Sequence, residues 1–255
     1  MDNVALFYQP TIFQKFDSLL GVQSKRHGGV SSKPFQSLNL GLNTDDNYKN
    51  VTENRKRLFS ALNIHEEQIA ATYQVHGNKV IEVSKSIYAQ GYDALITQQK
   101  NIFLAVTIAD CVPVLIYDKG TQAVAAIHAG WRGTAENIIK ETTEKMSLSF
   151  GTRAQDCFAY IGTCIDECSF EVDEDVAQHF LSQYKRWDKL KRKFFIDLKK
   201  ANKHQLLAFG VPEKQIEISP YSTVLDNRDY FSYRKENGKT GRMLAIIGMR
   251  EKRIV

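Results

Sequence analysis

Short runs of apolar residues, each ended by a polar or turn-forming residue, recur along the whole chain. Runs rich in β-branched residues predict strands, and apolar residues recurring every three or four positions predict helices. The predicted strands are "QIAATYQV", "KVIEVS", "NIFLAVTI", "VPVLIYD", "AVAAIH", "CFAYIG", "FFIDL", "QIEIS" and "MLAIIGM". The predicted helices are "NYKNVTENRKRLFSALNI" (47–64), "TAENIIKETTEKM", "DEDVAQHFLSQY" and "KKANKHQLLAFG", the last of which ends at Gly210.

The order of these elements favours an α+β fold. Hairpin-like connections, such as the turn at His76 and Gly77, are mixed with crossover connections, which indicates more than one sheet rather than a doubly wound sheet. With 255 residues, 43% of them hydrophobic, the chain can bury a large core. We therefore expect a single domain over 1–255 with mixed β-sheets flanked by helices.

Charge and cysteine content narrow the class of protein. The net charge is +5, and its densest basic run, "KRWDKLKRK" at 185–193, predicts a solvated helix face, since no aromatic-and-glycine recognition pattern accompanies it. No charged leader with an apolar segment opens the sequence, and no 18 apolar residues run together. The four cysteines are too sparse for a disulfide scaffold. These patterns predict a cytoplasmic protein, a monomer or weak oligomer, without nucleic-acid or membrane partners.

Three potential metal ligands end predicted strands or lie at turns between them. His76 follows "QIAATYQV", Cys111 precedes "VPVLIYD", and His128 ends "AVAAIH". Pro113 holds the chain beside Cys111 extended. Two histidines and one cysteine supply the three protein ligands of a catalytic zinc site with an open fourth position. Their separations, 35 and 17 residues, are natural for adjacent strands of one sheet.

The residues by themselves leave other interpretations open. Cys111 with His128 or His76 as its base fits the nucleophile of a Cys-His hydrolase, and all three fit unrelated core positions. A structural zinc would need a fourth protein ligand, and a multicopper phenol oxidase would need further histidines. The dinucleotide, P-loop, zincin and α/β-hydrolase motifs are all absent.

Motifs over most of the chain, from about Arg26 to Met249, resemble the laccase-domain, YfiH-like family of purine nucleoside phosphorylases. They are "RHGGVSSKPFQSLNLG", "QVHGNKV", "ADCVPVLIYD", "HAGWRGT", "IGTCI", "FEVDEDV" and "DYFSYRKENGKTGR". Two positions depart from the family pattern, Thr163 for a usual proline and Ser222 for a frequent cysteine. Neither is a proposed ligand, so the departures concern the shape of the pocket.

The resemblance implies a catalytic zinc, rather than copper, bound by His76, Cys111 and His128. It also implies phosphorolysis of adenosine, inosine, guanosine and S-methyl-5'-thioadenosine, together with adenosine deamination. Copper-dependent oxidation of phenols and editing of peptidoglycan precursors are further activities linked to members of this family.

Four residues are candidates for binding phosphate or ribose. "HAGWRGT" places glycines and Arg132 where a helix is predicted to begin, so backbone N–H groups and a guanidinium could converge on a phosphate. The alternative is a glycine-rich turn with an exposed arginine. Arg26 and Arg55 are further phosphate candidates, although Arg55 on a predicted helix also fits a structural ion pair. Asn39 is a candidate for a ribose hydroxyl or for a turn backbone.

The remaining candidates concern catalysis and the base. Asp110, next to a ligand, is either a catalytic base or a residue that orients the loop or a histidine. Tyr73, Trp131 and Phe35 offer flat surfaces on which a purine could stack, and core packing is the alternative for each. His27 lies in a family motif and is a candidate for contact with the substrate.

Overall fold

The computed structural model describes residues 5–251, so the first and last four residues of the predicted domain lie outside it. In chain order, its helices α1 to α6 are Thr11–Gln14, Tyr48–Ala61, Trp131–Ala135, Ile138–Phe150, Glu174–Ala177 and Leu198–Phe209. Its strands β1 to β15 are Phe7–Tyr8, Leu19–Ser24, Ile69–Tyr73, Val80–Glu82, Ile87–Gln90, Ala94–Thr97, Phe103–Ile108, Val112–Asp118, Val124–Ala129, Cys157–Ile161, Glu171–Val172, Lys185–Asp188, Lys193–Ile196, Ile216–Ile218 and Met243–Met249.

The strands form two large sheets and one small one. The first sheet has the order β1-β2-β15-β7-β3-β5, the second β14-β10-β8-β9-β6-β4, and the small third sheet β11-β13-β12. Parallel and antiparallel pairs occur in both large sheets. The prediction of an α+β fold with more than one mixed sheet is confirmed.

Alternating side chains bury both faces of the central strands. In β8, Leu115 and Tyr117 pack between the two large sheets, whereas Ile116 packs on the other side, against α4 and α6. In β15, Ile247 faces the space between the sheets and Ile246 faces α2. The layers are therefore α2, the first sheet, the second sheet, and the pair α4 and α6.

The predicted hairpin around His76 and Gly77 is wrong. The strand before the turn, β3, belongs to the first sheet, and the strand after it, β4, belongs to the second. Strand β3 pairs instead with β7 and β5, and β4 pairs with β6. The connection is thus a crossing between sheets, which sequence periodicity does not distinguish from a hairpin.

In the region 173–193, one predicted helix is longer than the observed one, and the helix predicted for the basic run is wrong. Helix α5 covers only Glu174–Ala177 of the predicted run, and the chain is extended at Leu181. The basic run forms the hairpin of β12 and β13, whose turn is held by the side chain of Asp188, which accepts from two backbone N–H groups. Its charges pair with acidic residues of neighbouring segments, as Lys191 does with Glu171.

None of the helices within residues 5–251 combines the length and the apolar character needed to cross a membrane. The four cysteines, Cys111, Cys157, Cys164 and Cys168, are all free thiols.

Candidate metal centre

His76 and Cys111 lie on two crossings between the large sheets. Strands β3 and β7 run parallel and side by side, so their carboxyl ends lie at the same edge of the first sheet. From that edge the chain passes through His76 to β4 and through Cys111 to β8, both of which belong to the second sheet. Both crossings start at the same edge of the first sheet and end in the second sheet. They therefore bring the imidazole of His76 and the thiol of Cys111 together.

His128 reaches the same place from within the second sheet. It is the penultimate residue of β9, and its cross-strand partner is Pro113, two residues after Cys111. Cys111 and His128 thus come from neighbouring strands of one sheet, as expected. His76 does not, because the strand before it belongs to the other sheet.

The three side chains form a compact group. One ring nitrogen of each histidine and the Sγ of Cys111 all lie within 4.8 Å of one another, and no other group of three or more His, Cys, Asp or Glu side chains among residues 5–251 has such geometry. The two imidazole rings are nearly perpendicular, with 4.8 Å between their centroids. His76 is exposed, Cys111 is half-buried and His128 is buried, so the group opens to solvent on one side.

The electrostatics of the group favour an anionic thiol. Burial by itself raises the pKa of Cys111, but the charge of His128 and hydrogen bonds with both histidines lower this pKa to about 6. Burial by itself lowers the pKa of His128, yet the charge of Cys111 and the hydrogen bond with Asp93 raise it to about 9. Cys111 is therefore a thiolate, the ligand form that zinc requires, and a zinc ion would displace the proton from His128.

Asp93 holds two of the three ligands in place. Its Oδ1 accepts a hydrogen bond from the backbone N–H of His76 at 2.9 Å and lies 2.8 Å from Nδ1 of His128. Its Oδ2 accepts from the N–H groups of Val75 and Gly77. Burial raises the pKa of this fully buried carboxyl, but the hydrogen bond from His128 and those from the backbone outweigh burial and lower it. The carboxylate thereby leaves Nε2 of His128 as the nitrogen for a metal.

Two residues of the site have backbone angles that favour glycine. His76 has a φ of 63° and Asp110 a φ of 88°. Such conformations are costly for residues with side chains and persist where the surroundings impose them. For His76 the hydrogen bonds to Asp93 provide this constraint.

The carboxylate of Asp110 is engaged by loops rather than by a histidine. It accepts hydrogen bonds from the hydroxyl of Thr223 and from the backbone N–H of Arg234. Of the two roles predicted for Asp110 as a neighbour of the ligands, the structure shows loop positioning and no contact with His76 or His128. The residue that contacts His128 is Asp93 instead.

The absence of a side chain at Gly130 leaves space beside the candidate ligands. A Cβ at this position would lie 3.1 Å from Cδ2 of His76 and 3.3 Å from Sγ of Cys111. The donor set of one thiolate and two imidazoles suits zinc, and the open side leaves a fourth position. The residues present therefore fit a catalytic zinc ion.

Replacing Gly130 by alanine is expected to weaken zinc binding by about 10-fold, as losses of ligand-orienting groups do. The φ of Gly130, −67°, suits alanine, so the effect comes from the added methyl group displacing His76 and Cys111. Competition with a chromogenic chelator measures the affinity. Gly120→Ala, whose Cβ would approach Asp118 in a distant turn, is the matched control. Unchanged zinc affinity in Gly130→Ala would show that the ligands do not bind metal in this arrangement.

A cavity of about 540 Å³ opens next to the three ligands. Its volume falls within the range of small-molecule sites. Polar and charged side chains on its wall are Asn43, Arg55, Gln74, Asp110, Arg132, Tyr233, Arg234 and Arg242. Aromatic surface is added by Tyr73, Tyr88, Trp131 and Phe170. The cavity therefore combines a metal-binding group, flat apolar surfaces and several positive charges.

Three of the predicted substrate residues line this cavity, and their side chains make no hydrogen bond to any residue within 5–251. They are Arg132, Trp131 and Tyr73. The guanidinium of Arg132 lies 4.5 Å from the ring centroid of Trp131 and is exposed. The helix that begins here, α3, has only five residues, so its dipole contributes less to binding an anion than the sequence led us to expect.

Other predicted substrate residues hold the protein together. Arg26 pairs with Glu236 and donates to the carbonyl of Asn227, and it does not line the cavity. Asn39 is fully buried, and its Oδ1 accepts from the backbone N–H of Arg242. Both side chains thus make structural contacts, which for Asn39 was the alternative role, and their contact with substrate stays a prediction. His27 pairs with Asp229, and Phe35 lines a smaller cavity of about 300 Å³.

Arg55 borders the cavity. Its side chain forms a structural ion pair, which was the alternative to phosphate binding predicted for it. Its Nε and Nη2 donate to the carboxylate of Glu66, and its Nη1 donates to the carbonyl of Leu40. Its side chain is 6% exposed. Its charge is thus already matched by a carboxylate.

Replacing Arg55 by glutamine is expected to lower the free energy of unfolding by about 1–2 kcal/mol, because the Leu40 carbonyl loses a donor and Glu66, itself half-exposed, loses its partner. The phosphate dependence of the phosphorolysis that the sequence resemblance implies should not change. Chemical denaturation and the KM for phosphate separate the two effects. A raised KM for phosphate with unchanged stability would assign Arg55 to substrate instead.

Several residues of the site were not found from the sequence. Asp93 stands before a strand, β6, that was not among the predicted elements, and only an acid directly ahead of the apolar run "ALIT" could have indicated it. Tyr233, Arg234 and Arg242 lie in the late motif "DYFSYRKENGKTGR", which served only for the resemblance. Nothing in their spacing indicates that this loop folds back over the metal ligands.

Comparisons with known proteins match most of the chain. The family model described as multi-copper polyphenol oxidoreductase laccase matches residues 21–250. "Purine nucleoside phosphorylase" of Bacteroides thetaiotaomicron is 35% identical over 87% of this chain and 88% of its own length, and "Purine nucleoside phosphorylase YlmD" of Bacillus subtilis is 33% identical over 89% and 87%. The crystal structure of YlmD from Geobacillus stearothermophilus superposes with a TM-score of 0.88 at 31% identity, covering 96% of this chain and 99% of that one.

Proposed function

Because this chain belongs to the multi-copper polyphenol oxidoreductase laccase family and has relatives named purine nucleoside phosphorylase, we propose that it is a zinc-dependent purine nucleoside phosphorylase. Its substrates would be adenosine, inosine, guanosine and S-methyl-5'-thioadenosine, together with phosphate. The observation that carries the proposal is the open group of His76, Cys111 and His128 in the wall of a cavity that also contains arginines.

Phosphorolysis transfers the sugar from the base to phosphate. A phosphate oxygen bonds to C1′ as the bond from C1′ to the purine nitrogen breaks, and the bonding electrons leave with the base, which takes up a proton. The sugar carbon becomes oxocarbenium-like as in other cleavages of glycosidic bonds. The products are the free base and ribose 1-phosphate, or the methylthio-sugar phosphate from the thioether substrate.

The residues of the cavity divide this task. His76, Cys111 and His128 would hold the zinc, which supplies a fixed positive charge that stabilises negative charge on a substrate group. Tyr73 and Trp131 offer the flat surfaces for the purine. The arginines would offset the charge of the phosphate, and Arg132 at the wall of the cavity is one candidate for that contact.

Adenosine deamination is proposed as a side activity. In this reaction water adds to the purine carbon that bears the amino group. The amino group then takes up a proton and leaves as ammonia. A zinc site with an open position is suited to such chemistry. Asp110 lines the cavity and is the carboxylate available as a base, although it also holds the Thr223 and Arg234 loops. The sequence signature of the zinc-dependent nucleobase deaminases is absent, so this would be a separate architecture.

A Cys-His nucleophile is the second candidate function, and one observation favours it. Cys111, with its pKa lowered to about 6, His128 and Asp93 have the order of a nucleophile, a base and a residue that orients the base. Such a mechanism leaves His76 without a role. The backbone of His76, however, is held by the same carboxylate that orients His128, which favours three ligands acting as a set. Metal content of protein purified without added zinc distinguishes the two functions.

The copper phenol oxidase named in the family description has less support from this structure. Among residues 5–251 there is one group with metal-binding geometry, whereas a multicopper cluster needs further histidines. Cytoplasmic location and the monomeric or weakly oligomeric state stay predictions from the sequence.

Product analysis tests the proposed function. The protein is incubated with adenosine, inosine or S-methyl-5'-thioadenosine, with and without phosphate, and the products are separated by chromatography. Free base together with the sugar 1-phosphate, formed only when phosphate is present, is the expected result. Inosine formed from adenosine without phosphate would identify the deaminase activity. If zinc-loaded protein releases no base from any of the three nucleosides, the proposal is wrong.

A further inference from the structure

Arg242 carries a positive charge that forms no ion pair with any carboxylate of residues 5–251. Together with Cys111 and Asp110 it lines the cavity of about 540 Å³ beside the metal ligands. It also lines the neighbouring cavity of about 300 Å³. None of the ion pairs formed by residues 5–251 includes it. Burial lowers the pKa of its guanidinium, although the nearby Tyr233, Cys111 and Asp110 raise it. A partly dehydrated, unpaired cation is unfavourable unless an anion binds beside it.

The guanidinium also has N–H donors that no residue within 5–251 uses. Its Nη1 donates to the carbonyls of Thr240 and Gly241, at 2.8 and 3.1 Å. Its Nε and Nη2 donate to no residue in the described part of the chain. These two nitrogens form one edge of the guanidinium, and their parallel N–H bonds match two oxygens of a phosphate. One edge therefore fixes the side chain to the protein while the other stays available to a ligand.

Neighbouring residues fix the position of this side chain. The backbone N–H of Arg242 donates to Oδ1 of the buried Asn39 at 2.8 Å. A Cβ on Gly41 would lie 2.7 Å from Cγ of Arg242, so the absence of a side chain there lets the stem of Arg242 pass close to the backbone. The arginine is thus held before any ligand arrives, which lowers the entropy lost on binding.

The other arginines of the cavity differ in these respects. Arg55 is paired with Glu66. Arg132 and Arg234 are exposed, and water there already solvates their charges. Arg242 alone among these four is both partly buried and unpaired within residues 5–251.

We propose that Arg242 binds the phosphate co-substrate through its Nε and Nη2. The inference rests on the proposed phosphorolysis, and it assigns to Arg242 the contact for which the sequence indicated Arg132. The arginine takes no part in bond making. It holds the phosphate dianion while one oxygen bonds to C1′, and it balances part of the anion's charge.

Two measurements on zinc-loaded protein test the assignment. The first is the rise in Tm caused by inorganic phosphate, which does not depend on activity. The second is the KM for phosphate and for inosine. The variants are Arg242→Gln, Arg242→Lys and Arg132→Gln, with Arg153→Gln as the control, since Arg153 is exposed and pairs with Asp156 outside the cavity. Zinc content and unfolding curves show whether each variant is folded. If Arg242→Gln is not folded, Arg242→Lys replaces it in both measurements.

We expect Arg242→Gln to raise the KM for phosphate by about 10- to 100-fold, the range for a lost charged hydrogen bond, and to leave the KM for inosine nearly unchanged. Its Tm should no longer rise with phosphate. Arg242→Lys should show a smaller defect of the same kind, because it keeps the charge without the planar fork. Arg132→Gln should show a lesser effect, and the control none.

The outcomes separate this inference from the proposed function. If phosphate stabilises the wild type but not Arg242→Gln, and no nucleoside is cleaved, Arg242 binds phosphate but the proposed phosphorolysis is wrong. Equal stabilisation of both proteins, no stabilisation of the wild type, or a phosphate defect found in Arg132→Gln instead would overturn the assignment. Stabilisation by inosine 5'-monophosphate beyond that by inosine with phosphate, if lost in Arg242→Gln, would assign the site to a nucleotide and also overturn it.

Discussion

Zinc and activity are expected to disappear together when Cys111 is replaced by alanine. The thiolate is the only anionic ligand of the three, so its loss leaves two imidazoles, which hold zinc weakly. Turnover should fall by roughly 100- to 1,000-fold, the loss typical when a group that stabilises charge in the transition state is removed. Metal analysis by mass spectrometry and the rate of base release from inosine measure the two effects on one preparation.

The two histidine variants extend this expectation. His76→Ala and His128→Ala should also lose zinc and turnover, but they should differ in stability. His76 is exposed, whereas His128 is buried and its removal leaves Oδ1 of Asp93 without a side-chain donor, which costs about 1–3 kcal/mol. Cys168→Ala, an exposed cysteine outside the cavity, is the control and should keep both zinc and activity. Stoichiometric zinc and normal turnover in Cys111→Ala would show that the ligand assignment is wrong.

Replacing Asp93 by asparagine is expected to weaken zinc binding by about 10- to 100-fold, although Asp93 is not a ligand. The amide nitrogen cannot accept hydrogen bonds, so either the pair formed by His76 N–H and His128 Nδ1 or the pair formed by the N–H groups of Val75 and Gly77 loses its acceptor. The unfolding free energy should fall by about 1–3 kcal/mol for the donors left unpaired. Chelator competition and chemical denaturation measure the two losses.

A buried aspartate elsewhere provides the matched control. Asp118 is fully buried and accepts from the backbone N–H groups of Gly120 and Thr121 in the turn between β8 and β9. Asp118→Asn should lose stability and keep its zinc affinity. Activity of Asp93→Asn should recover at raised zinc concentration, because the variant retains all three ligands. A variant with wild-type zinc affinity would mean that Asp93 stabilises the loop and nothing more.

The strands of the core were the most predictable part of the fold. The run "VPVLIYD" is β8 and "MLAIIGM" is β15, residue for residue, because a strand buried on both faces is apolar throughout and ends at polar residues. Helix α6 ends at Gly210, whose positive φ of 104° is the usual conformation after a helix. Sheet membership was less predictable, since whether β3 and β4 pair or separate depends on partners far away in the sequence.

The residues of the candidate site were also predictable only in part. His76, Cys111 and His128 were indicated by residue type and by the motifs around them, and the structure places their donor atoms together. Asp93 and Arg242 were not indicated, because their roles depend on what surrounds them in space. Asp93 matters because four donors converge on it. Arg242 matters because its guanidinium is partly buried and has no ion-pair partner among residues 5–251. Neither condition leaves a spacing pattern in the chain.

Stepwise return of zinc to metal-free protein tests the central claim most directly. The protein is stripped with a chelator, zinc is added in known fractions of the chain concentration, and release of hypoxanthine from inosine is followed at fixed phosphate. The proposed function predicts activity that rises linearly and stops rising at one zinc per chain, and no activity without phosphate. Full turnover by the metal-free protein, or turnover unchanged by zinc, would contradict it.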